Sequence, residues 1–312
     1  MAGRRSLRLA TRGSPLSLAQ SEAVAEALRR RWPSLDVQFV VVTTHGDRHR
    51  DVPLLELEAR GDGVFTRGVE AELLADRADF AVHSLKDLPT TTEPDLLLVA
   101  FPPRGDPRDV LVSRRPGGFD DLPKGAVLGS SSPRRAAQVL AQRPDLRVVS
   151  IRGNVDTRLQ KLHRGEVDAL ILAAAGLERL GRLDEAAELL PVERFTPAVG
   201  QGALAVQCRA DDTPTRELLA ALDDASTRAA VSAERAFLRA VGGGCRLPLG
   251  AHAVVEGERL SLRGFLAAPD GGVSCSAEQS GPAGDPEQLG LALARELLAV
   301  ADSGLPAEVR GA

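Results

Sequence analysis

Paired cysteines are the first thing this sequence of 312 residues lacks. Its three, Cys208, Cys245 and Cys275, are an odd number at wide spacing with no Cys-x-x-Cys motif, which excludes a disulfide framework and a thiolate zinc site. A reducing compartment is the expectation. Long hydrophobic runs are missing too. Met1–Ser6 opens with charge, Leu7–Arg12 is mixed instead of forming an apolar signal core, and nowhere do about 18 apolar residues stand together. The reading is a cytoplasmic protein without membrane contact. Lysine is scarce, at three (Lys86, Lys124, Lys161) against 36 arginines. Coding bias accounts for most of that excess, yet arginine also suits bidentate capture of carboxylate or phosphate, so position must decide which arginines matter. Nor does one sign of charge dominate: 39 basic and 43 acidic side chains give a net charge of −4, which argues against a nucleic-acid partner. The Gly-x-x-x-x-Gly-Lys-Ser/Thr loop, the Gly-x-Gly-x-x-Gly fingerprint and the Gly-x-Ser-x-Gly elbow are absent where their mechanisms need them, which sets nucleotide and serine-hydrolase chemistry aside. His45 and His49 have i, i+4 spacing, but Gly46 and the charges around it disfavour the helix a metal pair needs, so no metal is expected.

What is present has the composition of a folded protein, 43% hydrophobic and 26% charged, and is long enough for two or three domains. Leu7–Ala10 is a short alternating strand. Ser14-Pro15 then sets an N-cap residue before a proline at the first helical position, and Leu16, Ala19, Ala23, Val24, Ala27 and Leu28 recur on one helical face up to Trp32-Pro33. Val37–Thr43 is a β-branched strand, so the opening is a β-α-β unit. A second copy follows. Ser14-Pro15-x-x-x-Ala19-Gln20 matches Ser132-Pro133-x-x-x-Ala137-Gln138, Ala126–Gly129 precedes it as a strand, and the proline-led strands after Pro33 and Pro144 correspond. Ala78–Val82 and Val167–Ile171 read as the next strand of each lobe. Pro33 to Asp79 spans 46 positions and Pro144 to Asp168 spans 24, so the first copy carries about 22 more residues. They lie between Gly46 and Gly68 and read as a surface loop able to act as a lid.

Two related α/β lobes joined at Phe101–Pro107 imply a cleft, with ligands beyond the carboxyl ends of strands, where both Ser-Pro caps sit. Pro197–Ala203, rich in glycine, reads as the return crossing. Beyond it, a helical pattern over Thr227–Val241, strands near Ala251–Val255 and Arg259–Ala267, and a helix near Gln288–Ala301 form a separate small α/β domain.

Several residues stand where chemistry is done. Cys245 follows Gly242-Gly243-Gly244, where a bulky group can approach, and the neighbouring Arg246 favours its thiolate. A buried structural thiol is the alternative, and Cys208 and Cys275 look like ordinary strand positions. Lys86 and Asp87 fall just past a buried strand, as a working pair or an exposed ion pair. Arg12, Arg134, Arg135, Arg152 and Arg158 cluster at repeated strand ends, as a polyanion site with Lys86 or as solvated surface charges. His83 reads as a hydrogen-bonded structural histidine.

Taken in order, Ala10-Thr11-Arg12-x-Ser14-Pro15-Leu16, Ala81-Val82-His83-Ser84-x-Lys86-Asp87, Ser131-Ser132-x-Arg134-Arg135, Arg152-Gly153-Asn154-Val155-x-Thr157-Arg158, Pro197-Ala198-Val199-Gly200-Gln201-Gly202 and Gly243-Gly244-Cys245-x-x-Pro248 closely resemble the porphobilinogen deaminase (hydroxymethylbilane synthase) family, from about Leu7 into the last helix. The resemblance implies an α/β fold of two lobes like those of type II periplasmic binding proteins, with an interlobe cleft, plus a small C-terminal α/β domain. The expected division is 1–101 with 199–222 as the first lobe, carrying a lid over 46–67, then 102–198, and 223–312 as the cofactor-attachment domain. It implies a dipyrromethane cofactor in thioether linkage to Cys245, and a transferase of porphyrin and heme biosynthesis. Four porphobilinogen molecules join head to tail with loss of ammonia, and hydroxymethylbilane is released by hydrolysis. Asp87, Lys86 and Arg12 match the family's catalytic positions. Arg12, Ser14, Lys86, Ser132, Arg134, Arg135, Arg152, Arg158 and Arg179 match those that bind carboxylates of cofactor and substrate. The resemblance further implies a monomer that passes its product to uroporphyrinogen-III synthase. The lid departs from the pattern, since Glu58–Phe65 is longer and more acidic, so no lid residue is assigned. The competing reading is a non-catalytic two-lobed binding protein or sensor for a small carboxylate; a sensor has no need of Cys245 after three glycines or of Asp87.

Overall fold

A computed structural model of the protein describes residues 6–43, 66–91, 93–242, 248–268 and 272–304. In chain order the first part comprises β1 (Ser6–Arg12), α1 (Pro15–Arg31), β2 (Asp36–Val42), α2 (Arg67–Leu74), β3 (Phe80–Ser84) and β4 (Leu96–Ala100). The middle comprises β5 (Asp109–Ser113), β6 (Val127–Gly129), α3 (Pro133–Gln142), β7 (Arg147–Val149), α4 (Val155–His163), β8 (Ala169–Ala173), α5 (Ala174–Arg179) and β9 (Glu188–Leu190). The last part comprises β10 (Leu204–Arg209), α6 (Thr213–Ala220), α7 (Ala225–Ala240), β11 (Leu249–Glu256), β12 (Arg259–Ala267), β13 (Ser274–Pro282) and α8 (Pro286–Gly304). The described residues fall into two compact units, one within Met1–Gly105 and Ala203–Arg228, the other within Asp106–Gly202 and Ala229–Ala312.

The first unit holds a five-stranded sheet in the order β2-β1-β3-β10-β4, with β1, β2 and β3 parallel and β10 antiparallel to both its neighbours. Ser14 caps α1 by accepting from the Ser17 N–H at 3.2 Å, Pro15 fixes the first helical φ, and the helix stops before Pro33. Its buried face, Val24, Ala25 and Leu28, packs with Leu7, Leu9, Phe80 and Val206 of the sheet.

The second unit repeats the design in a sheet of order β7-β6-β8-β5-β9, again with three parallel strands and then an antiparallel one. Strand alternation buries both faces: Val110, Val112, Leu170 and Leu172 join one cluster, while Leu111, Ala169 and Ile171 join the other with Phe119 and Phe195. The same unit contains the antiparallel meander β11-β12-β13, covered by α7 and α8. Gly290 makes that cover possible, because a Cβ there would collide with the Ala233 carbonyl oxygen and the Ala236 side chain.

The expected duplication extends to single hydrogen bonds. The Asp79 N–H donates to the Arg8 carbonyl at 2.8 Å and the Arg8 N–H donates to the Asp79 carboxylate at 2.7 Å. Asp168 and Val127 do the same in the second unit, each at 2.8 Å. In both lobes this side-chain ring occupies the place of a ladder rung, so the third strand begins at Phe80 and Ala169, two residues later than the sequence reading of Ala78–Val82 and Val167–Ile171. The lid expectation, apart from 66 and 67, and the His45–His49 pair lie outside the described residues.

Candidate active site

In the first unit, Arg12 ends β1 and Lys86 and Asp87 lie in a single 3-10 turn, Leu85–Asp87, directly after β3. Because β1 and β3 are adjacent and parallel, with Ala10 beside Ala81, their carboxyl ends lie at one edge of the sheet. The structure therefore brings Arg12, Ser14, Lys86 and Asp87 to the same edge. Lys86 and Asp87 are exposed and Arg12 and Ser14 half-buried. The turn is held from beneath. The Leu85 N–H donates to the Ala203 carbonyl at 3.1 Å, and buried Gln20 donates to the Ser84 hydroxyl at 2.8 Å. His83 is buried, as expected of a structural histidine, with Nε2 at 2.9 Å from Gln207 Oε1. Burial pushes its pKa down to about 4, against the Gln207 hydrogen bond and with Arg12 adding repulsion, so the ring is neutral at physiological pH.

In the second unit, β6, β7 and β8 are parallel and also deliver their candidates to one edge. Ser132 caps α3 through the Arg135 N–H at 3.4 Å. Asn154 caps α4 through the Thr157 N–H at 2.9 Å, and Gly153 before it takes φ +116°, where a Cβ would also strike Thr157. That turn sets Arg152 and Arg158, both half-buried, on either side, with Arg158 Nε donating to the Gly153 carbonyl at 2.9 Å. Arg179, at the end of α5, donates to the Gly202 carbonyl at 2.6 Å, and burial lowers its pKa.

The sequence left Arg134 and Arg135 as part of a carboxylate site or as solvated surface charges; in the structure both are buried. They are 4% and 7% exposed and clasp Asp109, which is fully buried, at 2.7 Å each. Arg135 also donates to the Ile171 carbonyl, and Arg134 to the Thr196 carbonyl. Burial alone would raise the Asp109 pKa, but the attraction of the two cations and their hydrogen bonds hold it well below the usual carboxylate range. Gln201, from the expected return crossing, donates to Asp109 at 2.8 Å and to the Pro107 carbonyl at 2.7 Å, while Gly200 and Gly202 on either side have positive φ. Asp109 and Gln201 were not singled out from sequence; the available signal was an acidic residue opening the apolar run Val110–Val112, a position that demands a buried partner.

Cys245 lies outside the described residues, as does the rest of 243–247. The remaining residues can be tested against a covalently held dipyrromethane by their donor chemistry. Such a group carries carboxylates, and the two strand-end edges present guanidinium, ammonium and hydroxyl donors. In addition, Arg134 Nε is buried with no hydrogen-bond partner among the described residues, a donor that an anionic group would satisfy. These residues fit the group.

Residues 7–217 match the family model described as porphobilinogen deaminase, dipyromethane cofactor binding domain, and residues 228–299 match that described as porphobilinogen deaminase, C-terminal domain. Among curated relatives, the porphobilinogen deaminase of Roseiflexus castenholzii is 49% identical, over 95% of this chain and 96% of that protein. Those of Brevibacillus brevis and Rubrobacter xylanophilus are 46% and 47% identical, covering 97% and 100% of this chain and 97% and 99% of theirs. With matches over nearly its whole length, and with two lobes that each gather basic residues at their parallel strand ends, the chain belongs to the porphobilinogen deaminase family.

Proposed function

We propose that this chain performs its family's reaction with Asp87, Lys86 and Arg12 as its catalytic residues. It is a hydroxymethylbilane synthase, a transferase of tetrapyrrole biosynthesis that condenses four porphobilinogen molecules head to tail with loss of ammonia and releases hydroxymethylbilane by hydrolysis. Family membership sets aside the alternative of a non-catalytic carboxylate sensor. The observation that carries the site assignment is the convergence of Arg12, Lys86 and Asp87 at the carboxyl ends of two adjacent parallel strands.

When bound, the dipyrromethane supplies the primer to which the first porphobilinogen is joined, held through Cys245. Loss of ammonia breaks the aminomethyl C–N bond of porphobilinogen and leaves a cationic methylene-pyrrole. The Asp87 carboxylate stabilises that cation and accepts hydrogen bonds from pyrrole N–H groups. Arg12 and Lys86 hold acetate and propionate groups and orient the reacting carbon. Ser14, Ser132, Arg152, Arg158 and Arg179 take the carboxylates that accumulate with each unit. In the second unit Arg134 and Arg135 have Asp109 as counter-ion, with the Arg134 Nε as a donor for an anionic group.

The division into 1–101 with 199–222, 102–198 and 223–312 belongs to the same reading. The separate sheet β11-β12-β13 and the gap between the two family-model matches support it. A monomeric state, a cytoplasmic location, which the odd number and wide spacing of the cysteines favour, and transfer of the product to uroporphyrinogen-III synthase belong to the same reading. Among the described residues no helix is long and apolar enough to cross a membrane.

Intact-mass measurement with peptide mapping tests the central assignment. The expected result is an adduct of two linked pyrrole units on Cys245, absent from Cys245→Ser. A thiol that stays unmodified after incubation of the apoprotein with porphobilinogen would overturn it.

A further inference from the structure

Beneath the turn that carries Lys86 and Asp87 runs a buried polar chain that the reaction as described does not use. Its members come from three elements of the first unit: Glu70 of α2, Gln207 of β10 and His83 of β3, which are 6%, 0% and 6% exposed. Gln207 Nε2 donates to the Glu70 carboxylate at 3.1 Å, and Gln207 Oε1 lies 2.9 Å from His83 Nε2. The carboxamide is thereby oriented. Its nitrogen is committed to an acceptor, so its oxygen faces the ring, and an oxygen can only accept. His83 must then carry its proton on Nε2, leaving a lone pair on Nδ1.

Arg12 is the cation whose charge bears on this ring. Ala10 pairs with Ala81, which puts Arg12 and His83 two residues further along adjacent strands. An imidazole with a lone pair is a favourable neighbour for a guanidinium, whereas an imidazolium would repel it. One residue beyond His83, Ser84 accepts from Gln20, and Leu85–Asp87 follow.

We propose that Gln207 is a positioning residue: its carboxamide, oriented by Glu70, fixes the Nε2–H tautomer of His83 and thereby sets Arg12 and the Lys86–Asp87 turn for substrate carboxylates. The inference rests on the functional reading of those three residues. Because it acts through Arg12, its signature is in KM for porphobilinogen more than in kcat. Outer partners that orient the ligands of a metal site are worth roughly 10- to 100-fold, and the lower end of that range is the scale taken for this contact.

The test uses holoenzyme labelled with 15N-histidine, the His83 resonance assigned by its absence in His83→Gln. In the wild type near pH 7.5 the ring should show a protonated Nε2 and an unprotonated Nδ1. Gln207→Leu should lose that single tautomer and raise KM about tenfold with a smaller change in kcat. Gln207→Glu keeps an oxygen for His83 and, as the carboxylic acid, a donor for Glu70, so it should restore both the tautomer and KM. A wild-type ring protonated on Nδ1, or a Gln207→Glu protein with KM as poor as that of Gln207→Leu, would overturn the proposal, and the first of these needs no variant to fold. A wild type that shows the Nε2–H tautomer but does not turn over porphobilinogen would instead refute the functional reading.

Discussion

Replacing Asp109 by Asn tests how the second lobe is held together. Asp109 is fully buried and receives Arg134 Nη1, Arg135 Nη2 and Nε, and Gln201 Nε2 at 2.7 to 3.1 Å. The substitution keeps the shape but removes the negative charge, leaving Arg134 and Arg135, 4% and 7% exposed, without the counter-ion they share among the described residues. Breaking a buried ion pair by removing one partner costs about 3–5 kcal/mol. At about 2–4 °C per kcal/mol for a unit of this size, the melting temperature should fall by roughly 10 °C, and the loss should appear in calorimetry of apo and holo protein alike. Acid adds a second signature. A carboxylate whose folded pKa lies below its unfolded value, about 3.9, gives full stability above that value and loses it as pH falls further. The wild type should therefore lose this contribution progressively below about pH 4, while Asp109→Asn shows a shallower decline there. A shift under about 2 °C would refute the argument that the two arginines depend on Asp109.

Two further outcomes follow from the first lobe. Asp87→Ala should keep its melting temperature within about 1–2 °C, because the residue is exposed in a turn. It should nonetheless lose about a thousandfold in kcat, since a carboxylate about 4 Å from a developing cation at an effective dielectric near 20 is worth roughly 4 kcal/mol; steady-state release of ammonia from porphobilinogen measures both arms against wild type. His83, with its folded pKa pushed to about 4 against 6.5 unfolded, gives stability that is complete above about pH 6.5 and is lost as pH falls toward 4. Urea unfolding at pH 7 and pH 5 should show about 2 kcal/mol of loss in the wild type that is absent in His83→Gln.

The duplicated lobe was legible in the sequence because each copy repeats the same local instructions. Ser14-Pro15 and Ser132-Pro133 begin a helix by the same capping chemistry, and both do so in the structure. Harder to read were strands whose partners come from elsewhere in the chain. β5 and β10 each run antiparallel to the third strand of a sheet otherwise built from local units, and nothing in Asp109–Ser113 or Leu204–Arg209 encodes which sheet receives it. β4 and β9 are edge strands of five and three residues, too short for periodicity to declare. The C-terminal helix and the strand Arg259–Ala267 were legible because amphipathic patterning and turn residues bounded them.

The candidate site divides along a similar line. Arginine type and spacing mark Arg12, Arg152 and Arg158 as well as they mark Arg134 and Arg135, because a motif records which residues stand near a ligand and not what else they touch. Burial separates them. An arginine at the edge of a strand end can release its water to a carboxylate, whereas one sunk beneath a helix cap must first meet an internal acid, since a lone buried guanidinium costs more than any ligand contact returns. Asp109 therefore has to be present for Arg134 and Arg135 to be buried where they are, and Gln201 ties that acid to the Pro107 carbonyl as well. The reasoning orders the variants. Asp109→Asn should weaken both stability and loading of the dipyrromethane, while loss of Arg152, half-buried at a strand end, should weaken loading with little change in melting temperature. Equal thermal losses in the two variants would mean that burial does not distinguish these arginines.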